Sequence, residues 1–124
     1  IGLTGKAKTV VTEHNTAQAV QSGSEDVFAT PMLVALMEKA AVAAVASAVP
    51  DGQTTVGSRI NLAHTAATPM GGEVTAAAEL IETDGRRLTF AVTAYDKAGE
   101  IGTGTHERVL VDRYKFAAKA AARL

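Results

Sequence analysis

Three polar residues lie in apolar surroundings and carry groups suited to acid–base or nucleophilic chemistry. Glu38 interrupts a stretch rich in Met, Leu, Ala and Val, where an ionised carboxylate is costly unless it is paired. His64 ends a strand-like segment, and an imidazole can exchange protons near neutral pH. Thr30 precedes Pro31, where its hydroxyl could cap a helix or act as a nucleophile at the positive helix end. From residue types alone, each of the three is compatible with a structural role as well.

A fourth feature is the segment Gly102–Arg108, which combines two glycines with His106 and Arg108. Glycines inside a strand often mark the close approach of a ligand or of another backbone. Strand alternation puts His106 and Arg108 on one face, together with Gly102 and Gly104. An exposed charged face would explain the same pattern, so both interpretations stay open at this point.

Composition excludes several classes of site and partner. The chain has no Cys and a net charge of -1, which excludes thiolate chemistry and argues against a nucleic-acid partner. The histidines His14, His64 and His106 are scattered and match no metal-binding spacing, so we expect no metal. The apolar run Ala40–Val49 is too short to cross a bilayer, and no secretory signal is evident. We therefore expect a cytoplasmic protein without a membrane partner.

The elements that must position these residues can be read from the spacing of apolar residues and turns. Thr30-Pro31 is a good helix start, and the pattern predicts a helix over Pro31–Ala48 that ends at Pro50-Asp51-Gly52. This helix is apolar nearly all round, which predicts burial on most of its sides. The apolar residues that cover more than one of its faces are Leu33, Leu36, Met37, Ala40, Ala41, Ala44 and Val45. A strand and the polar loop His14–Thr30 precede it.

Four strand-like segments follow the helix, and a basic helical tail ends the chain. Short connections such as Asp84-Gly85 favour antiparallel hairpins, so the pattern predicts a four-strand meander with one face covered by the helix. Alternation within the first of these segments puts His64 on the same face as Ile60 and Ser58, towards the helix. The predicted fold is α+β, a hot-dog fold in which an antiparallel sheet wraps around one long central helix, in a single domain over residues 1–124. The predicted strands are Gly5–Glu13, Thr54–Thr65, Glu73–Glu82, Arg87–Tyr95 and Glu100–Val111, and the tail is Asp112–Leu124.

Three stretches together resemble the fluoroacetyl-CoA thioesterase family of the hot-dog superfamily. They are Phe28–Glu38 (FATPMLVALME), Asn61–Pro69 (NLAHTAATP) and Gly102–Arg108 (GTGTHER), and the hairpin Glu79–Leu88 looks similar as well. The likeness extends from Phe28 to Phe116. It implies that the chain is an acyl-CoA thioesterase, with no cofactor beyond the coenzyme A of its substrate.

The resemblance also implies which residues form the site. The family's catalytic Thr, Glu and His fall on Thr30, Glu38 and His64; a glycine that contacts the acyl group through its backbone falls on Gly57, and an arginine near the acyl pocket on Arg108. One departure concerns the lid before the central helix, which is rich in phenylalanine in the fluoroacetyl-specific member. Gln18–Ser24 has no aromatic residue. We therefore expect a thioesterase that acts on a short acyl group of unknown identity, and not an enzyme dedicated to fluoroacetyl groups.

A simple triad meets a geometric difficulty, because Thr30 and Glu38 are about 12 Å apart along a regular helix. Thr30 could fold back from the loop, His64 could bridge the two, or the site could combine groups from two subunits. Most relatives with the hot-dog fold place their sites at a dimer interface, so the resemblance favours the last solution and implies a homodimer or a higher oligomer.

Two other functions remain open at this stage. A hot-dog hydratase or dehydratase acting on acyl-CoA would keep an acid–base pair without the Thr nucleophile, and a non-catalytic module would bind acyl-CoA without turnover. Arg86, Arg87 and the basic tail could attract the phosphates of coenzyme A or could be solvated surface.

Overall fold

The computed structural model describes residues 1–124 and contains one long helix, α1, against a five-stranded antiparallel sheet. A short second helix, α2, follows the last strand. Every predicted element is present, with ends that differ by at most three residues. The elements are β1 (Thr4–Val10), α1 (Thr30–Val45), β2 (Gln53–His64), β3 (Glu73–Asp84), β4 (Arg87–Asp96), β5 (Gly99–Asp112) and α2 (Arg113–Ala121).

The strand order is β1-β3-β4-β5-β2, which corrects part of the predicted meander. β3, β4 and β5 are consecutive neighbours, but β2 pairs with β5 instead of β3. The connection between β2 and β3, residues 65–72, can reach about 26 Å, enough to cross the roughly 14 Å of three strand spacings. As a result β2 forms one edge of the sheet, with one side of its backbone unpaired.

A bulge interrupts β2 between Gly57 and Arg59. Beyond it, Ile60 and His64 lie opposite His106 and Gly102 and share their helix-facing side, as predicted for His64. Before the bulge Gly57 lies opposite Arg108, so Gly57 takes the inner position that simple alternation gave to Ser58. The sequence-based assignment of Ser58 to the covered face was therefore wrong, because the extra residue of a bulge reverses the alternation.

α1 packs on the concave face of the sheet through one side only. Its buried residues are the ones that the apolar pattern singled out, whereas Ala35, Val42 and Ala43 are exposed, so the prediction of burial on most sides does not hold for the single chain. The core opposite the helix comes from the inner faces of β3 and β4. The buried residues of α1 are Leu33, Leu36, Met37, Ala40, Ala41, Ala44 and Val45, and their partners include Val74, Ala76, Ala78, Leu80, Phe90, Val92 and Ala94.

Two glycines allow backbones to approach closely. A side chain at Gly5 would collide with the α1 backbone at Ala44, so β1 lies directly on the helix there. A side chain at Gly104 would collide with the β2 backbone at Asn61 and Leu62. Gly104 therefore allows the close approach of another backbone, which is one of the two roles that the sequence left open for the glycines of this segment.

The loop between β1 and α1 is held by its own hydrogen bonds. The Asn15 side chain donates to the Val10 carbonyl at 3.0 Å and accepts from the Thr12 N–H at 2.8 Å. Thr16 pairs with Phe28 across the loop. These contacts bring the loop across the start of α1, beside the end of β2. No helix of the structure is long and apolar enough to cross a membrane.

Candidate active site

Thr30 and His64 form a hydrogen-bonded pair although they are far apart in sequence. Thr30 Oγ1 lies 2.7 Å from His64 Nδ1. Thr30 is the first residue of α1, Ala29 occupies the N-cap position, and no side chain caps the helix. Of the two roles left open for Thr30, helix capping is wrong, because its hydroxyl is directed to the imidazole instead of the helix N–H groups.

The pair lines a cavity of about 290 Å³ under the β1–α1 loop. The remaining wall is made of small or apolar residues from the loop, from Phe28 and from the segment after β2. Within Gln18–Ser24, the lid segment without aromatic side chains, Ser22 is the residue that lines the cavity. The lining residues are Ala17, Ser22, Val27, Phe28, Thr30, His64, Thr65, Ala66 and Ala67.

The protonation of His64 suits a proton acceptor. Burial of the ring lowers the pKa of His64 below the ordinary value of 6.5, and a hydrogen bond with the Ala66 backbone opposes this shift only in part. Nε2 is buried and has no hydrogen-bond partner of good geometry. Nδ1 is the ring atom that meets Thr30, so a neutral ring can exchange a proton with that hydroxyl.

Glu38 lies in a different cluster, against the far end of β2. Its Oε1 atom accepts a hydrogen bond from Arg108 Nη1 at 3.3 Å and lies 3.8 Å from His106 Nε2. Gly57 faces this carboxylate so closely that a side chain at position 57 would collide with Glu38 Oε1. The Glu38 side chain is partly exposed, and its carboxylate is paired with a buried cation.

Arg108 is buried and held by four contacts. Its Nε donates to Thr55 Oγ1 at 2.9 Å and Nη2 to the Thr55 carbonyl at 3.0 Å, while Nη1 reaches His106 and Glu38. Burial lowers the pKa of Arg108, and Glu38 opposes that shift. The exposed-face interpretation of His106 and Arg108 is wrong, and Thr55 is a contributor that the sequence did not indicate.

The structure thus brings the five predicted site residues together in two groups. Thr30 and His64 form one, and Glu38, Gly57 and Arg108 the other. Gly57 and His64 lie opposite Arg108 and Gly102, which are six residues apart on β5, or about 20 Å at roughly 3.3 Å per residue. No hydrogen bond or ion pair joins the two groups within the chain. Because Thr30 belongs to α1 and His64 does not contact Glu38, neither of the single-chain solutions is realised.

The basic residues considered for the coenzyme A phosphates lie on the surface. Arg87 is 3.7 Å from Glu107 on the outer face of the sheet, and Arg86 is exposed in the turn between β3 and β4. α2 has no buried residue. None of these side chains lies beside the cavity.

The chain is similar in sequence and in structure to fluoroacetyl-CoA thioesterases. The family model for fluoroacetyl-CoA-specific thioesterases matches residues 11–114. The fluoroacetyl-CoA thioesterase of Streptantibioticus cattleyicolor is 49% identical over 94 residues, which cover 76% of this chain and 68% of that protein. A solved structure of the fluoroacetyl-CoA thioesterase FlK matches with a TM-score of 0.94 at 39% identity and covers 100% of this chain and 96% of that one.

The same fold also occurs in a protein with low sequence identity to this chain. A hot-dog-like protein from Thermanaerovibrio acidaminovorans matches with a TM-score of 0.90 at 23% identity, over 100% of this chain and 92% of that one. That match supports the fold alone and confirms the predicted hot-dog arrangement. With a family match over most of its length and a close relative of the same kind, the chain belongs to the fluoroacetyl-CoA-specific thioesterase family, whose members are hot-dog thioester hydrolases.

Proposed function

We propose that the protein hydrolyses a short acyl-CoA thioester to the free acid and coenzyme A. The observation that carries this proposal is the 2.7 Å contact between Thr30 Oγ1 and His64 Nδ1 at the wall of a small cavity. Related structures support the substrate class, since one FlK variant was solved with acetyl-CoA and another with fluoroacetate and CoA. The proposed compartment is the cytoplasm, where acyl-CoA thioesters are made and used.

In the proposed first step, the Thr30 hydroxyl attacks the thioester carbonyl and its proton passes to His64 Nδ1. The oxyanion lies at the N-terminal end of α1, where the N–H groups of Thr30 and Met32 have no intrahelical acceptor and the helix dipole favours negative charge. When the carbon–sulfur bond breaks, the thiolate leaves and takes the proton from His64. The acyl group then remains as an ester of Thr30.

Hydrolysis of this ester needs a base for the attacking water, and we assign that role to Glu38. It would accept a proton from the water, and this proton returns to the Thr30 oxygen as the ester bond breaks, so that the acid and the Thr30 hydroxyl are released. An E38Q variant should then accumulate the Thr30 ester, visible by mass spectrometry as the gain of one acyl group. If Thr30 only stabilises the oxyanion and water attacks directly, no ester accumulates in any variant.

Glu38 can act on the Thr30–His64 pair only if it comes from a second copy of the chain. β2 is an edge strand of twelve residues, and an unpaired edge is a template for strand pairing. Antiparallel pairing of two β2 strands, centred near Asn61, would bring His64 of one subunit beside Gly57 of the partner subunit. Each dimer would then contain two sites, each with Thr30 and His64 from one chain and Glu38 from the other.

Complementation between inactive subunits tests this arrangement. T30A and E38A chains with different affinity tags are co-expressed, and the doubly tagged dimer is purified. One of its two sites would contain all three groups, so we expect about half of the wild-type activity per dimer. A site within one chain would give no recovery.

The matched control pairs T30A with H64A. Both substitutions affect the same group of residues, so the mixed dimer has no complete site and should be inactive in either arrangement. Activity in this control would contradict the assignment of Thr30 and His64 to one site.

Product analysis separates hydrolysis from the alternative reactions. Acetyl-CoA and a matched enoyl-CoA are incubated with the protein, and free thiol is measured alongside hydration of the double bond. Thiol release from both substrates is expected. Hydration without thiol release would indicate a hydratase, and binding without either product would indicate a non-catalytic module.

A further inference from the structure

His106 is a buried histidine that has no role in the proposed reaction steps. It lies on the inner face of β5 and is 1% exposed, beside the ring of Phe90 at a centroid distance of 6.3 Å. Its Nδ1 atom lies 2.8 Å from the carbonyl oxygen of Arg59, at the bulge of β2. Because a carbonyl oxygen can only accept, Nδ1 carries the proton.

The other ring nitrogen, Nε2, lies 3.2 Å from Arg108 Nη1. A guanidinium can only donate, so Nε2 is the acceptor and the ring is neutral. Burial and the charge of Arg108 both lower the pKa of His106. The Arg59 carbonyl and the carboxylates of Glu38 and Glu107 raise it, but the net shift is downward and favours the neutral ring. The 3.8 Å separation from Glu38 is therefore no ion pair, since the intervening cation binds both groups.

The consequence lies in the orientation of Glu38. All contacts of its carboxylate involve Oε1, and its side chain is 39% exposed. Arg108 Nη1 can hold Oε1 in one place only if the guanidinium itself cannot rotate. Thr55 fixes Nε and Nη2, and His106 fixes the remaining nitrogen, Nη1.

We propose that His106 is a positioning residue, whose neutral imidazole fixes the Arg108 guanidinium and thereby directs the free Oε2 atom of Glu38 towards the reacting ester. This inference rests on the proposed function, in which Glu38 activates water. His106 itself touches no substrate in this scheme. Its effect on turnover passes through Arg108.

The kinetic test uses H106L, which removes both nitrogens, and H106Q, whose amide can accept from Arg108. H106L is expected to lower kcat by about tenfold or more with little change in KM, since misplacement of a catalytic group slows the chemical step. H106Q is expected to recover part of the loss. H14L, at an exposed histidine, is the matched control and should behave as wild type.

A double-variant comparison separates positioning from general damage. If His106 acts through Glu38, adding H106L to E38Q should cause no further loss of kcat. Equal losses in the wild-type and E38Q backgrounds would overturn the proposal, as would wild-type kcat in H106L. If wild-type protein has no thioesterase activity at all, the proposed function fails first, and that result is seen before any variant is made.

Nitrogen NMR of the histidine rings gives a readout that does not depend on turnover. At neutral pH His106 should give the signals of the neutral tautomer protonated at Nδ1, assigned by their loss in H106Q. In R108K the Nε2 signal should shift, because the planar donor is replaced by a flexible ammonium. A cationic ring or an Nε2-protonated ring in the wild-type protein would contradict the proposal.

Discussion

Gly57 lies against Glu38 with no room for a side chain between the β2 backbone and the carboxylate. Glu38 therefore lies between a strand residue without a side chain, Gly57, and the guanidinium of Arg108, which is fixed in place. Both neighbours restrict the carboxylate, one by shape and the other by charge. The position of Glu38 is therefore determined by residues remote in sequence from α1.

Replacing Gly57 with Ala tests this restriction. The new methyl group would meet Glu38 Oε1 and push the carboxylate from Arg108, so we expect kcat for acetyl-CoA to fall by about tenfold or more. The melting temperature should fall as well, because the displaced carboxylate leaves the buried Arg108 cation without its counter-charge. S58A at the neighbouring bulge position is the control, and wild-type turnover in G57A would contradict the assigned geometry.

The pH dependence of turnover should report His64. The reaction needs the neutral ring, so kcat/KM should fall as the pH drops through the pKa of His64. Because burial lowers that pKa, activity should persist below pH 6.5, the ordinary histidine value, and be lost at lower pH. A profile between about pH 5 and 8 measures the midpoint.

His106 also has a lowered pKa, so the same profile is recorded for H106Q. The acid limb should remain there if His64 causes it. A midpoint at or above the ordinary value, or loss of the limb in H106Q, would contradict the assignment to His64.

Acyl specificity should depend on the loop before α1. Ser22 lines the cavity, and no aromatic residue of Gln18–Ser24 closes it. We expect S22F to lower kcat/KM for a six-carbon acyl-CoA by about tenfold relative to acetyl-CoA, since contacts worth about 1–3 kcal/mol discriminate acyl size. Q18F, in the same loop but outside the lining, is the control. Equal losses for both substrates would show that Ser22 does not determine acyl size.

Gly104 should matter for stability instead of chemistry. An alanine there meets the backbone of β2 at Asn61 and Leu62, which cannot move aside as a side chain can. We expect G104A to lower the free energy of unfolding by about 2–3 kcal/mol, measured by denaturant titration at a fixed protein concentration. G23A, in the exposed loop, should change it by less than about 0.5 kcal/mol.

The local elements and the buried face of α1 could be predicted because they follow from the spacing of apolar residues. Each buried position from Leu33 to Val45 was identified in this way. The edge position of β2 could not, since strand order depends on a connection whose path no local pattern records. The exposed side of α1 was also missed, because an apolar residue such as Val42 does not reveal whether its own chain or another covers it.

The candidate site, too, could be predicted from the sequence only in part. The resemblance identified the residue types, but spacing could not show that Thr30 meets His64 while Glu38 meets Arg108. His106 was noticed for sharing a face with Arg108, and its burial was the missing information. Thr55 has no chemical signal in the sequence, because a threonine in a strand is ordinary.

The bulge in β2 determines which side of the sheet each residue before it faces. Gly57 and His64 are separated by seven positions, an odd interval that would point them to opposite sides of a regular strand. The extra residue restores their common orientation. If the strand kept all of its residues but lost the bulge, every residue before it would turn to the other side of the sheet, so that Gly57 would leave the helix side and Glu38 would face a side chain. A single backbone irregularity thus keeps the two ends of one strand available to the same chemistry.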